Sequence, residues 1–174
     1  MPKCIEAVLF DMDGLMFDTE RLSDIVWEQV GKAHGYAIGA QEMALMRGTN
    51  REEGKRAMLE HMGEDFPFDI LHEEAHALMR EHLKDSVPLR PGLNELLGFL
   101  RQHGVLMAVA SSTAQALVEE YLERAGVRHF FKAVVCGDMV TRSKPAPDIY
   151  LEGGRCLGVL PQRCLLLEDS YNSV

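Results

Sequence analysis

Two carboxylates near the start of the chain, Asp11 and Asp13, directly follow a short apolar run. Carboxylates one residue apart at the mouth of a buried strand can hold a hard divalent cation such as Mg²⁺ through oxygen ligands. Gly14 follows them and allows the backbone to turn tightly. A calcium-binding EF-hand loop beginning at Asp11 would need glycine at 16 and glutamate at 22. Met16 and Leu22 stand there instead, so that interpretation is excluded.

Three later segments carry side chains that complement these carboxylates. Residues 111–113 (SST) precede a predicted helix, where backbone amides can form a phosphate or oxyanion cradle. Residues 168–169 (ED) can complete a metal site, and Lys144 offers a cation that neutralises phosphate. Taken singly, these residues are better explained as a helix cap, turn polars and a solvated lysine. The prediction of chemistry therefore rests on their combination.

Four short apolar runs, at 5–10, 105–110, 131–136 and 164–167, predict the strands that position these residues. Continuous apolar runs are typical of strands buried on both faces of a parallel sheet. Each run stops at polar residues, and open parallel sheets gather their chemistry at the carboxyl ends of their strands.

Helical segments surround and separate these strands. Segments 91–104, 114–125 and 147–157 alternate with the later strands, which predicts an α/β fold with a doubly wound, Rossmann-like parallel sheet. Residues 15–88 lack a convincing strand and predict helices at 19–33, 41–46, 50–62 and 69–84, with Asn50 as an N-cap. We predict a discontinuous core, residues 1–14 and 89–174, with a helical cap at 15–88. Gly153 and Gly154, inside the last helix, have no explanation at this level.

Composition excludes several classes of protein. The 174 residues are 47% hydrophobic and 26% charged, which fits a globular chain rather than a disordered or collagen-like one. A formal net charge of −9, without a cluster of Lys and Arg, disfavours nucleic-acid and membrane partners. The four cysteines lack CxxC spacing, so we expect buried reduced thiols. No apolar run is long enough for a signal peptide or a membrane span, which predicts a cytoplasmic protein.

In their order along the chain, these segments resemble the four motifs of the haloacid-dehalogenase-like (HAD) superfamily. The matching stretches are FDMDG at 10–14, SS at 111–112, KPAPDIY at 144–150 and LEDS at 167–170. They span nearly the whole chain, and the helical insertion follows the first of them. The stretch GLMFDTE at 14–20 is similar to the capped branch that contains β-phosphoglucomutase and many sugar-phosphate phosphatases. In the phosphotransferases of this superfamily, but not in its true dehalogenases, an aspartate stands two residues after the nucleophilic aspartate. Here Asp11 matches the nucleophile and Asp13 matches that second aspartate.

The resemblance implies a phosphoryl-transfer mechanism with Mg²⁺ as the cofactor. Asp11 would attack phosphorus to form an aspartyl phosphate, and Asp13 would serve as general acid and then general base. The expected metal ligands are Asp11, the backbone carbonyl of Asp13, and Asp169. Glu168 would support metal-bound waters from behind these ligands.

The same resemblance assigns the groups around the substrate. Ser111 and Lys144 would be catalytic, because they orient and stabilise the transferring phosphoryl group. Other residues expected to bind phosphate or substrate are Gly14, Ser112, Thr113, Glu20, Arg47 and Arg51. Arg51 matches the arginine that holds the second phosphate in β-phosphoglucomutase, with a solvated helix start as the alternative. Ser23 stands where that mutase has a cap histidine, so we expect a phosphatase of a small phosphorylated metabolite, with a phosphosugar mutase as the alternative.

The segment HEEAH at 72–76 satisfies the HExxH pattern of zinc proteases. The longer metzincin pattern also needs glycine at 79, where Met79 stands. On a continuous helix His82 points away from the side shared by His72 and His76, and we expect it to pack against the core of the cap. We therefore predict no catalytic zinc here, although the histidine pair could hold a casual surface metal ion.

The chain ends five residues after Asp169, whereas the resembled proteins continue with a helix and a strand. We expect part of the core to be missing and a strand edge to be exposed, through which the chain could self-associate. A complete member would be monomeric. A signalling receiver domain would need an adjacent acidic pair after the first strand and no helical lobe, so it is excluded. A non-catalytic fragment or binding module stays open as an alternative.

Overall fold

The structure is a computed structural model that describes residues 5–47, 49, 51–142 and 144–169. Within these residues the sheet has four parallel strands, β1 (Ala7–Phe10), β2 (Leu106–Ser111), β3 (Ala133–Cys136) and β4 (Cys164–Leu167). They lie side by side in the order β3-β2-β1-β4. All four predicted strands are present, and the prediction of a doubly wound α/β fold is confirmed.

The register of the sheet aligns the carboxyl ends of its strands. Phe10 pairs with Val109 of β2 on one side and with Leu167 of β4 on the other. The backbone N–H of Asp11 donates to the carbonyl of Leu167 at 3.0 Å. Asp11 is therefore fixed by the end of the hydrogen-bond ladder, directly beside the residues that follow β4.

Alternate residues of β1 enter two different apolar clusters, because successive strand side chains point to opposite faces of the sheet. Val8 and Phe10 pack with α5 (Leu93–Gln102) and α6 (Gln115–Arg124). Ala7 and Leu9 pack with α7 (Asp148–Leu157). Helices therefore cover both faces of β1, which explains its continuous apolar sequence.

Close packing of α7 on the sheet accounts for two glycines within that helix. A Cβ at Gly153 would lie 3.1 Å from Leu9 Cδ2, and one at Gly154 would lie 3.2 Å from the carbonyl oxygen of Val159. Both contacts are tighter than ordinary van der Waals packing, so glycine lets the helix approach β1 and the chain that follows the helix.

β4 lies at the edge of the sheet and is the least buried strand. Leu165 and Leu166 are 44% and 40% exposed. The expected exposed strand edge and apolar surface are therefore found within the described residues.

In the described part of the chain between β1 and α5, four helices surround an apolar cluster of their own, which includes Trp27, Met58, Phe68 and Leu71. They are α1 (Thr19–Ala33), α2 (Ala40–Met46), α3 (Arg51–Met62) and α4 (Phe68–Leu83). The predicted helices differ from these by one residue at most at either end. The Asn50 cap lies outside the described residues, and the domain boundaries at 14/15 and 88/89 stay predictions.

Two connecting segments join the four helices to the sheet, and they run side by side. The N–H of Asp18 donates to the carbonyl of Pro88 at 3.0 Å, and the N–H of Arg90 donates to the carbonyl of Met16 at 2.9 Å. These bonds fix where the helical segment leaves and rejoins the core. None of the helices described here combines the length and the apolar character that a membrane span requires.

Candidate active site

Three strand ends and one loop contribute polar residues to a single cleft. Asp11 follows β1, Ser112 follows β2, and Asp169 lies two residues beyond β4. Lys144 comes from the loop between β3 and α7. The cleft has a volume of about 250 Å³ and is lined on its other side by residues of α1, α2 and α4.

Lys144 is the best-buried charge of this cleft, with only 1% of its side chain exposed. Its ammonium group donates to Asp11 Oδ1 at 2.5 Å and to Glu168 Oε2 at 2.8 Å. Glu168 also accepts a 2.7 Å hydrogen bond from the hydroxyl of Tyr150. Because a buried charge is costly unless it is paired, one cation holding two carboxylates makes this arrangement possible.

The pKa of Asp11 is raised to about 7, chiefly by burial; the ammonium group of Lys144 lowers it in part, and the carboxylates of Glu168 and Asp13 add to the increase. Desolvation outweighs the short ion pair because the carboxylate is almost fully removed from water. Because burial makes the ionised form of Asp11 costly in free energy, any further cation or proton that reaches this carboxylate stabilises it.

Carboxylate oxygens of Asp11, Glu168 and Asp169 lie within 4.8 Å of one another. They form the one metal-competent group of three His, Cys, Asp or Glu side chains in the described parts of the chain. Burial also raises the pKa of Asp169. Hard oxygen donors of this kind suit Mg²⁺. Glu168 was predicted to lie behind the metal ligands, but its carboxylate belongs to this cluster.

Asp13 is oriented by two hydroxyl groups. Thr19 Oγ1 donates to its Oδ1 and Thr113 Oγ1 donates to its Oδ2, each at 2.9 Å. Thr19 begins α1, whereas Thr113 follows β2, so Asp13 joins the helical segment to the core. Sequence reasoning assigned Thr113 to phosphate and missed Thr19, whose only sequence signal is its place in the DTE stretch.

Gly14 lies beneath this group and does not line the cleft. Its φ is +81°, and a Cβ there would lie 2.2 Å from Asp169 Oδ2 and 3.0 Å from the carboxyl carbon of Glu20. Only glycine adopts this backbone without strain and leaves room for Asp169. Its carbonyl accepts a 2.7 Å hydrogen bond from Arg90 Nε.

Residues 111–113 form a turn ahead of α6. Ser111 is fully buried, and its Oγ accepts a hydrogen bond from the N–H of Thr113 at 3.1 Å. Ser112 and Thr113 line the cleft, whereas Ser111 supports them from below. The cap position of α6 is Ala114, and Asp138 accepts from the N–H of Gln115 at 3.2 Å.

The cap side of the cleft is polar at α1 and around the end of α2, where Glu20, Asp24, Arg47 and Thr49 lie. Arg47 donates to both carboxylate oxygens of Asp24, at 2.8 and 2.7 Å. Arg51 does not line the cleft and instead contacts Asp69 and Glu73 of α4. Sequence reasoning missed Asp24, because a single aspartate on an amphipathic helix carries no distinctive pattern.

The HExxH histidines stack on each other, with ring centroids 4.2 Å apart. Burial lowers the pKa of His72 to about 4 and also lowers the pKa of His76, which lines the cleft. In the described residues neither belongs to a three-ligand metal group. His82 is exposed, so the expectation that it packs against the core of the cap was wrong: it lies near the end of α4, beyond the apolar cluster.

The family model for "Haloacid dehalogenase-like hydrolase" matches residues 8–174. The chain belongs to this family. It is 33% identical over 175 residues to a phosphorylated carbohydrates phosphatase of Thermotoga maritima, covering 98% of this chain and 79% of that protein. It is also 33% identical over 165 residues to the fructose-1-phosphate phosphatase YqaB of Escherichia coli, covering 94% of this chain and 86% of that protein.

The chain is also similar in fold to the solved structure of CbbY from Rhodobacter sphaeroides in complex with phosphate. It superposes with a TM-score of 0.80 at 32% identity, covering 97% of this chain and 79% of that one. A point mutant of CbbY was solved in complex with xylulose-(1,5)bisphosphate, and this chain matches it with a TM-score of 0.81 at 31% identity and the same coverage. The predicted membership of the HAD-like hydrolases is confirmed.

Proposed function

We propose that this protein is a Mg²⁺-dependent phosphatase that hydrolyses a small phosphorylated metabolite of the sugar-phosphate class. The observation that carries the proposal is the position of Asp11, which lies at the floor of the cleft against Lys144 and the carboxylates of Glu168 and Asp169. The relatives named as phosphatases of carbohydrate phosphates support the substrate class.

In the first step, a carboxylate oxygen of Asp11 forms a bond to phosphorus while the bond from phosphorus to the substrate oxygen breaks. Asp13 in its protonated form gives its proton to the departing alcohol. Lys144, fixed between Asp11 and Glu168, keeps positive charge beside the transferring group. Ser112 and Thr113 line the same floor and orient the phosphoryl oxygens.

In the second step, water attacks the phosphorus of the aspartyl phosphate and loses a proton to Asp13, while the bond from phosphorus to the oxygen of Asp11 breaks. Inorganic phosphate leaves, the carboxylate of Asp11 is restored and Asp13 is protonated again. Thr19 and Thr113 each hold one oxygen of the Asp13 carboxylate by a hydrogen bond, which orients this acid and base toward the cleft. Bound by the carboxylates of Asp11 and Asp169, Mg²⁺ would supply the charge that offsets the phosphoryl oxygens. Glu168 accepts hydrogen bonds from Lys144 and Tyr150. We therefore assign it a supporting role, in which its carboxylate shapes the metal site.

The test is phosphate release from a panel of sugar phosphates and one aryl phosphate, with Mg²⁺ or with EDTA. Asp11→Asn is the diagnostic variant, and Asp65→Asn, at an exposed turn position, is the matched control. We expect release that needs Mg²⁺, is retained in the control and falls by about a thousandfold or more in Asp11→Asn, since the covalent route is lost.

Activity that persists in Asp11→Asn would overturn the nucleophile assignment. A folded protein that releases no phosphate from any compound, and whose melting temperature Mg²⁺ does not raise, would favour a non-catalytic binding module instead. The cytoplasmic location, the monomeric state and the lack of nucleic-acid and membrane partners stay predictions.

A further inference from the structure

One end of the cleft carries a group of charged side chains with an excess of negative charge. Glu20 and Asp24 project from α1, and Arg47 lies at the end of α2. A single terminal nitrogen of Arg47 bonds both oxygens of Asp24, while its Nε lies 3.8 Å from Glu20 Oε1. Two carboxylates thus share one guanidinium.

The Nε–H of Arg47 is buried and has no hydrogen-bond partner among the described residues. A buried donor without a partner is costly, so a ligand that accepts from it gains affinity. The carboxylate of Glu20 also lines the cleft and can accept a hydrogen bond from a ligand donor. A hydroxyl group can accept a hydrogen bond from Arg47 Nε and donate one to the carboxylate of Glu20, so it fits both groups.

A second phosphate group on the substrate would be disfavoured at this end of the cleft. Within the described lining of the cleft, the lysine and arginine side chains are Lys144 and Arg47, and each is already held by carboxylates. His76 also lines the cleft, but burial lowers its pKa, which keeps it neutral near pH 7. Arg51 lies outside, bound to Asp69 and Glu73. A dianionic group would therefore face Glu20 and Asp24 without a free cation.

We propose that Glu20, Asp24 and Arg47 form a hydroxyl-binding subsite that selects monophosphates of neutral polyhydroxylated alcohols over the corresponding bisphosphates. The inference rests on the proposed phosphatase function and names its substrate class. It distinguishes this chain from CbbY, whose point mutant was solved with a bisphosphate.

The test compares kcat/KM for fructose 1-phosphate, fructose 1,6-bisphosphate and p-nitrophenyl phosphate. The aryl phosphate has no hydroxyl groups, so it reports the chemistry at Asp11 independently of the subsite. We expect the wild-type protein to prefer the monophosphate to the bisphosphate by about tenfold or more, the range expected for hydrogen bonds to charged groups. This ratio needs no variant.

Asp24→Asn removes one negative charge and frees the guanidinium of Arg47. We expect it to lower kcat/KM for the monophosphate by about tenfold, to reduce the preference over the bisphosphate, and to leave the aryl phosphate within about twofold. Glu28→Gln, an exposed position on the same helix, is the matched control and keeps the wild-type ratio.

Aryl-phosphate turnover without a preference for the monophosphate would overturn the subsite and leave the phosphatase standing. An equal loss on all three substrates in Asp24→Asn would show that Asp24 acts on the chemistry or the fold, and would also overturn the subsite. No turnover of any substrate by the folded protein would overturn the phosphatase and the subsite together.

Discussion

Replacing Lys144 by methionine tests whether one buried cation holds the site together. Methionine resembles the apolar stem of lysine but leaves the carboxylates of Asp11 and Glu168 without the ammonium group that lies 2.5 and 2.8 Å from them. The side chains of these two residues are 10% and 5% exposed, so water cannot replace the lost partner. Removing one member of a buried ion pair typically costs about 3–5 kcal/mol, and we expect a loss of that size in the free energy of unfolding.

Urea denaturation in EDTA at about pH 8 measures this loss. Lys132→Met, at an exposed position, is the matched control and should change stability by less than about 0.5 kcal/mol. Lowering the pH to about 5 should recover part of the loss in Lys144→Met, because the pKa of Asp11 is already raised by burial and rises further without Lys144.

A double-mutant cycle with Asp11→Asn separates the ion pair from general packing. If the two carboxylates are the reason for the loss, Lys144→Met should cost about 1–3 kcal/mol less in the Asp11→Asn background. A cost below about 1 kcal/mol at both pH values, similar to that of Lys132→Met, would refute the argument that Lys144 compensates these buried charges.

Three further predictions follow from the same geometry. Burial raises the pKa of Asp11 from 3.8 to about 7, so its contribution to stability is present at low pH and is lost as the pH rises through 7. In EDTA, the free energy of unfolding of Asp11→Asn, taken relative to that of the wild type, should therefore rise by about 3 kcal/mol from about pH 5 to about pH 8, measured by urea denaturation. A difference that does not change with pH would contradict the raised pKa. Gly14→Ala should lose about 1–2 kcal/mol of stability from its φ of +81° and should also lose the rise in melting temperature caused by Mg²⁺. Gly35→Ala has the same φ and nothing near its Cβ, so it should lose stability alone, and a retained Mg²⁺ response in Gly14→Ala would argue against the contact with Asp169. Thr19→Val and Thr113→Val each remove one hydrogen bond to Asp13 and should lower kcat by about tenfold with the aryl phosphate, whereas the exposed control Thr141→Val should not; unchanged kcat in both would show that Asp13 needs neither hydroxyl.

Much of the fold could be predicted from local sequence. Continuous apolar runs predicted four strands, although β4 is partly exposed at the edge of the sheet rather than buried, and the polar residues after each run predicted where the chemistry would gather. The clearest case is β4, whose observed bounds, Cys164–Leu167, are those predicted. The helices of the inserted segment were predicted to within one residue, because glycines and polar residues interrupt the apolar pattern at their ends.

The partners of individual side chains could not be predicted in this way. Sequence register placed both Arg47 and Arg51 at the substrate, whereas the structure brings only Arg47 into the cleft and pairs Arg51, at the start of α3, with Asp69 of α4. Neither the hydrogen bonds of Thr19 and Thr113 to Asp13 nor the position of Asp24 has a local signature. Thr19 is only six residues from Asp13, but Thr113 is 100 residues away and Arg47 is 23 residues from Asp24, so these contacts depend on how the helical segment sits over the sheet.

The sequence by itself determined which residue types reach the carboxyl edge of the sheet, since apolar runs and turn residues fix where strands end. Only the tertiary structure decided how their charges combine: Lys144 lies between Asp11 and Glu168, 133 and 24 residues away along the chain. It also explained Gly153 and Gly154, which no local rule favours within a helix, by the close approach of α7 to its neighbours. The physical reason is the same in each case. Burial and electrostatic pairing depend on distances in space, whereas strand and helix patterns depend on spacing along the chain.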